Sequence, residues 1–254
     1  MKRANLAGWI VVALLTGLVE VCVRAFDLRD SAPAPSATVR ALALGVASGD
    51  LTRAIETTLE SYVEGLALAI GAGVALGVLI GGSRTLTDST SVLIEFLRPI
   101  PVVAIIPLAT LFLGLGLPMR RFVIAYAAVW PILLNTLYGV RGIDRMLHDV
   151  AKTSGATKLG ELVRVTVPAA LPSIATGVRV AASIALLVAV SAEFVTGTGG
   201  IGSYMQQEQL AFHLPELYAA VVFVGILGYT INLALRAAQR RVLFWVGEDR
   251  IGAR

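Results

Sequence analysis

Asp149-Val150-Ala151-Lys152-Thr153-Ser154-Gly155, nine residues to Val165, and then Thr166-Val167-Pro168 form a polar, basic, turn-punctuated stretch in a chain that is membrane-apolar on either side of it. Gly155 suits the left-handed conformation that ends one helix and redirects the chain, because it carries no Cβ to clash there. Pro168 suits the start of a following helix, where its missing N–H costs nothing. Two short helices joined at a glycine make a surface that a soluble partner can grip, and Asp149, near the start of the first, offers it a carboxylate. The competing reading is a plain cytoplasmic loop, since loops tolerate almost any polar composition.

Composition sets the class around that stretch. Of the 254 residues 56% are hydrophobic and 15% charged, with a mean hydropathy of +0.79. Soluble domains carry about 25% charged residues, so this chain has too little polar surface to be globular in water. A transmembrane helix needs about 20 apolar residues. Runs from Gly65 to Ser83, Pro99 to Met119, Phe122 to Val140 and Leu217 to Leu235 hold no Asp, Glu, Lys or Arg, and runs from Ala7 to about Phe26 and from about Leu171 to Val195 are apolar with interruptions. The expectation is an all-α polytopic protein of about six spans and one membrane domain over residues 1–254, with a cytoplasmic loop at about 141–170. Hydrophobicity that is continuous rather than alternating excludes a strand barrel.

Lys and Arg in the connections orient the spans, because cations are retained on the cytoplasmic side. With the N-terminus inside, the inner segments hold Lys2, Arg3, Arg84, Arg141, Arg145, Lys152, Lys158, Arg164, Arg236, Arg240, Arg241, Arg250 and Arg254, thirteen against the outer five of Arg29, Arg40, Arg53, Arg120 and Arg121. Both termini are therefore expected in the cytoplasm. A pI near 9.5 is a topology signal here, since the cations are spread over loops and form no nucleic-acid stripe. Lys2 and Arg3 ahead of an apolar core, with Val23-Arg24-Ala25 after it, also fit a signal peptide. A retained span is preferred, in which Glu20 and Arg24 pair one helical turn apart. The lone Cys22 reads as an apolar filler.

Smaller features fill in the plan. Ala32-Pro33-Ala34-Pro35-Ser36 reads as an extended connector, and Val39, Leu42, Ala43 and Val46 after it have helical spacing, as for an amphipathic helix on the outer membrane surface. Gly65, Ala69, Gly73, Gly77 and Gly81 put a small residue every four positions on one face, read as packing in preference to a sliding or dimerising surface. Pro99, Pro101 and Pro107 break helical hydrogen bonding at membrane depth, which points toward a bundle interior or gate. Asn135, Arg179, Glu193 and Asn232 are the polar groups within spans. Arg179 and Glu193 lie fourteen residues apart, about 21 Å along a helix, and cannot pair. Pro99, Pro101, Asn135 and Glu193 are the candidates for a translocation path, with Glu193 read equally as an outer gate or as a structural hydrogen bond to the next loop. His148 and His213 have no ligand-spaced partners and are read as a loop and an interface residue.

The stretch from Asp149 to Pro168 resembles the "EAA" signature of bacterial ABC-importer permeases: Glu-Ala-Ala, three residues, Gly, nine residues, Ile, one residue, Leu-Pro. Gly155 and Pro168 fall in register, Ala151 matches, and Asp149, Val165 and Val167 are conservative departures, while Val150 replaces the first alanine. Arg98-Pro99-Ile100-Pro101 through Leu113-Gly114-Leu115-Gly116, and Pro168-Ala169-Ala170-Leu171-Pro172, are similar to the nitrate, sulfonate and taurine branch, so the resemblance runs from about Pro33 to Arg241. It implies a type I importer permease fold, and an ATPase-coupling loop carried by Asp149, Ala151, Gly155, Val165 and Pro168. It also implies a second permease copy, a cytoplasmic ABC ATPase that binds the ATP, and an extracytoplasmic solute-binding protein that delivers a small anion such as nitrate, taurine or another sulfonate.

Other chemistry has no foothold. Gly197-Thr198-Gly199-Gly200-Ile201-Gly202 fits a dinucleotide pattern but follows an apolar span and no strand, and Gly155 with Gly160 has phosphate-loop spacing but is followed by Glu161-Leu162. No metal, cofactor or catalytic site is expected on this chain. The rival function is a stand-alone channel or secondary transporter, which would move solute without an ATPase.

Overall fold

The computed structural model describes residues 6–26 and 32–244. Lys2, Arg3, Arg29, Arg250 and Arg254, used above for orientation, lie outside the described residues. Every regular element among those described is a helix: α1 Leu6–Ala25, α2 Pro35–Ser48, α3 Asp50–Gly81, α4 Arg84–Leu97, α5 Val102–Leu113, α6 Leu117–Arg141, α7 Arg145–Thr153, α8 Lys158–Glu161, α9 Val167–Thr196, α10 Gly200–Leu210 and α11 Leu214–Val242. Among the described residues four stretches are long and apolar enough to cross a membrane, namely Asp50–Gly81, Leu117–Arg141, Lys158–Thr196 and Leu214–Val242, and the α4–α5 pair, bent by 92°, makes a fifth if the two helices count as one span. At the position of the predicted first span stands α1, 20 residues long.

Two predicted spans change shape. The second begins at Asp50 and not near Gly65, because Arg53, Glu56, Glu60 and Glu64 are spaced through an unbroken 32-residue helix that the search for uncharged runs cut short. The third is not straight. Pro101 has no N–H for the Leu97 carbonyl, and takes an extended conformation (φ −62°, ψ 121°) that starts α5 in a new direction. The Leu97 carbonyl accepts instead from the Ile100 N–H at 3.3 Å and from the hydroxyl of Tyr126 on α6 at 2.8 Å.

By Cα packing the chain divides into two compact units, Met1–Thr58 with Glu193–Leu227, and Leu59–Ala192 with Gly228–Arg254. In the first, α1 and α2 are joined by Glu20, whose carboxylate accepts from the Ser36 backbone N–H at 2.9 Å and hydroxyl at 2.8 Å, and from Arg24 Nε at 2.6 Å. The expected Glu20–Arg24 pair therefore exists and also serves as a tertiary joint.

The core of the second unit is α6, which buries Val123, Ile124, Ala128 and Ile132 completely. The glycine face of α3 lies against it. A Cβ added at Gly65 would come within 2.6 Å of Ile124, at Gly73 within 2.8 Å of Ile132, and at Gly77 within 2.6 Å of Thr136 and 2.8 Å of the Leu133 carbonyl. The small-residue stripe is thus close helix packing inside the unit. On its other side α6 meets α9, where a Cβ at Gly177 would press on Asn135 at 2.8 Å and on the Pro131 carbonyl at 2.9 Å.

Candidate functional site: the segment 141–170

Asp144 begins the segment by capping α7, its Oδ1 accepting from the Met146 N–H at 2.9 Å. Asp149 consequently stands in the second turn of the helix, not at its start, and is solvent-exposed. Arg145–Thr153 is sharply amphipathic. Ala151 is buried and His148 half-buried on the inner side, whereas Met146, Leu147 and Val150 on the outer side are 70%, 46% and 54% exposed. Apolar side chains held out of a polar helix are an association surface in search of a partner.

The helix ends in a Schellman turn. Gly155 has φ +72°, its N–H donates to the Lys152 carbonyl at 3.0 Å, and the Ala156 N–H reaches back to the Ala151 carbonyl at 3.0 Å. Nothing lies within 4 Å of a Cβ built at Gly155, so the glycine is required by backbone conformation and not by crowding. Thr157 then caps α8, accepting from the Gly160 N–H at 3.1 Å. His148 Nδ1 meets Glu161 Oε1 at 2.6 Å and ties α8 back to α7. Exposed Leu159 and Val163 continue the apolar display, while Val165 is half-buried.

Pro168 is placed differently from the expectation. The helix restarts at Lys158 and runs 39 residues to Thr196, so the proline lies inside it. A π-turn over Leu162–Thr166, closed by the Val167 N–H on the Leu162 carbonyl, widens the ladder just before the ring, where an ordinary turn would press it on the Arg164 carbonyl. The segment is thus a short helix, a glycine turn and a π-turn at the entry of a long apolar helix.

Comparison with known proteins gives the chain a family. Residues 69–246 match the model of the "Binding-protein-dependent transport system inner membrane component" family. The chain belongs to that family. It is 34% identical to a probable ABC transporter permease of Brucella melitensis over 95% of this chain and 93% of the relative. A bicarbonate transport permease of Synechococcus elongatus is 34% identical over 73% and 67% of the two chains, and the taurine transport permease of Escherichia coli 28% identical over 80% and 74%. These relatives place the permease in the nitrate, sulfonate and taurine branch. In fold it is similar to the inward-facing MetNI methionine ABC transporter, with TM-score 0.67 and 22% identity over 76% of this chain and 95% of that one. The chain is a multi-pass permease subunit of an ABC importer, with a type I permease fold.

Residues read as lining a pathway are scattered through the permease. Pro99 and Pro101 form the exposed elbow between α4 and α5, and Pro99 borders a cavity of about 490 Å³. Asn135 is half-buried and donates from Nδ2 to the Pro131 carbonyl at 2.8 Å, serving its own proline-broken helix. Arg179 is half-buried on α9. Glu193 is fully buried. It accepts from Thr58 Oγ1 at 2.8 Å and from the Gly202 N–H at 3.2 Å, while Thr58 Oγ1 takes the Ile201 N–H at 2.9 Å. A carboxylate and a hydroxyl thus satisfy the first amides of α10, where the helix dipole favours negative charge. Gly200 sits at φ +86° against that carboxylate, and a Cβ there would overlap it. We expect Glu193→Gln, which keeps the shape and loses the charge, to lower the unfolding free energy of the detergent-solubilised permease by about 1–3 kcal/mol. An unchanged midpoint in a thermal melt would show that the negative charge contributes nothing to stability.

Three contacts escaped sequence reading. Asp144 carried a signal, a capping residue just before an amphipathic run. The His148–Glu161 clamp and the Tyr126–Leu97 bond join residues 13 and 29 apart, and no local pattern announces them.

Proposed function

We propose that the permease resides in the bacterial cytoplasmic membrane with both termini inside, and that the segment 141–170 is gripped by a separate cytoplasmic ABC ATPase. The observation that carries this reading is α7 with its Gly155 turn: Met146, Leu147 and Val150 exposed on one face, Ala151 buried on the other, and a strain-free left-handed exit. Closure of the ATPase on ATP would push this lever and tilt α9 through the π-turn, exchanging outward-open and inward-open states. ATP and its chemistry stay on the partner. A solute-binding protein docking on the extracytoplasmic side, a reading supported by the words "binding-protein-dependent" in the family's description, would bias the same equilibrium from outside, since coupling between two sites is reciprocal. A second permease copy would complete the pathway, with Pro99, Pro101, Asn135 and Glu193 as residues to test along it.

The cargo we infer is a small anion. Relatives named for bicarbonate and nitrate transport support that class. Competition of uptake by unlabelled taurine, nitrate and bicarbonate in cells carrying the whole operon identifies it: inhibition by one or more of these is expected, and uptake of a neutral sugar or cation unaffected by all three would overturn the reading.

A further inference from the structure

Arg98, at the C-terminal end of α4, and Arg141, the last residue of α6, line one cavity of about 490 Å³, a volume within the usual range for small-molecule sites. Neither guanidinium pairs with a carboxylate among the described residues. Leaving two solvated guanidiniums without a counter-ion on one concave wall concentrates positive potential there. Their planar forks match an oxyanion with two oxygens presented side by side.

The other polar groups narrow the chemistry. Thr87 already donates its hydroxyl to the Ile80 carbonyl at 2.9 Å, and Ser91 donates to the Asp88 carbonyl at 2.9 Å, so neither has a proton left for a ligand. Tyr138, 66% exposed, adds a free phenolic donor. Glu95 stands on the same wall and brings the formal charge of the three ionised groups to +1. One net positive charge favours a monoanion over a dianion. Ile94 and Leu137 supply an apolar floor beside the donors. We propose that this cavity, under the α4–α5 elbow, binds a compact monoanionic oxyanion group attached to a short apolar body, with Arg98 and Arg141 holding the oxygens and Glu95 excluding dianions.

A sulfonate head and the phosphodiester of an anionic phospholipid share that chemistry. The test uses full-length permease with its ATPase, in phosphatidylcholine nanodiscs, titrated with 1-butanesulfonate by calorimetry. A parallel sample in phosphatidylglycerol nanodiscs is examined for retained lipid by native mass spectrometry. Saturable butanesulfonate binding, weakened at least about tenfold in R98Q/R141Q, establishes a site for a free anion. Retained phosphatidylglycerol that is lost in R98Q/R141Q, with butanesulfonate silent, establishes a lipid headgroup site. In either case sulfate competes poorly with the natural protein and several-fold better with Glu95→Gln. Equal binding by the double variant, or no binding of either probe, overturns the proposal. All three side chains are exposed, so the variants fold, and an unaltered melting midpoint checks this. The readout is binding without transport, so its failure is distinguishable from failure of the uptake reading.

Discussion

Gly155→Val abolishes coupling while the permease still inserts and assembles: stimulation of ATP hydrolysis by the loaded solute-binding protein, and uptake with it, fall at least tenfold. The reason lies in the backbone. At φ +72° an L side chain costs about 1–2 kcal/mol, and a β-branched one is worse placed than any other. The chain escapes by opening the Schellman turn, which releases the Lys152 and Ala151 carbonyls and lets α7 swing away from α8. Because no atom lies within 4 Å of the added Cβ, packing elsewhere is untouched and the protein level in the membrane stays normal. Gly155→Asn is the matched control. Asparagine tolerates the left-handed region, so most of the coupling should survive. Equal loss in both variants would mean that the position matters for a reason other than its conformation.

Gly77→Val acts on stability and not on coupling. The added Cβ would meet Thr136 Cβ at 2.6 Å and the Leu133 carbonyl oxygen at 2.8 Å, and the second of these is backbone of the most buried helix in its unit. Overpacking of this kind costs about 1–3 kcal/mol where side chains can shift, and more where backbone must. We expect the detergent melting midpoint to fall by several degrees and membrane-inserted protein to drop sharply. Gly71→Val on the same helix has nothing within 4 Å of its Cβ and should be near neutral. Similar melts for the two variants would show that the stripe is not a packing face.

Much of this architecture is legible in the sequence because membrane burial writes long, simple signals. Uncharged runs located α6 and α11, and the spacing of Gly65, Gly73, Gly77 and Gly81 located the face of closest approach. Failures came where one physical effect hid another. Four charged residues concealed the first half of α3, and a π-turn absorbed Pro168, which by itself reads as a helix start. The turn at Gly155 was legible because only backbone conformation constrains that position. The contact of His148 with Glu161 was not, since two polar residues 13 apart gain a meaning only after α7 and α8 fold back on each other. Glu193 showed as an expensive charge in a span, but its role as the N-terminal anchor of α10 depends on Thr58, 135 residues away.

Site-specific cross-linking decides whether an ATPase reaches the Gly155 turn. With Cys22 replaced by alanine, a single cysteine at Ser154, exposed beside the Gly155 turn, is treated with a short bifunctional maleimide in membranes containing the whole transporter. The account predicts a cross-linked product of permease and ATPase subunit whose yield changes when ATP binds. A cysteine that instead reacts with a membrane-impermeant maleimide from the outer face of intact spheroplasts, and gives no ATPase adduct, would contradict it.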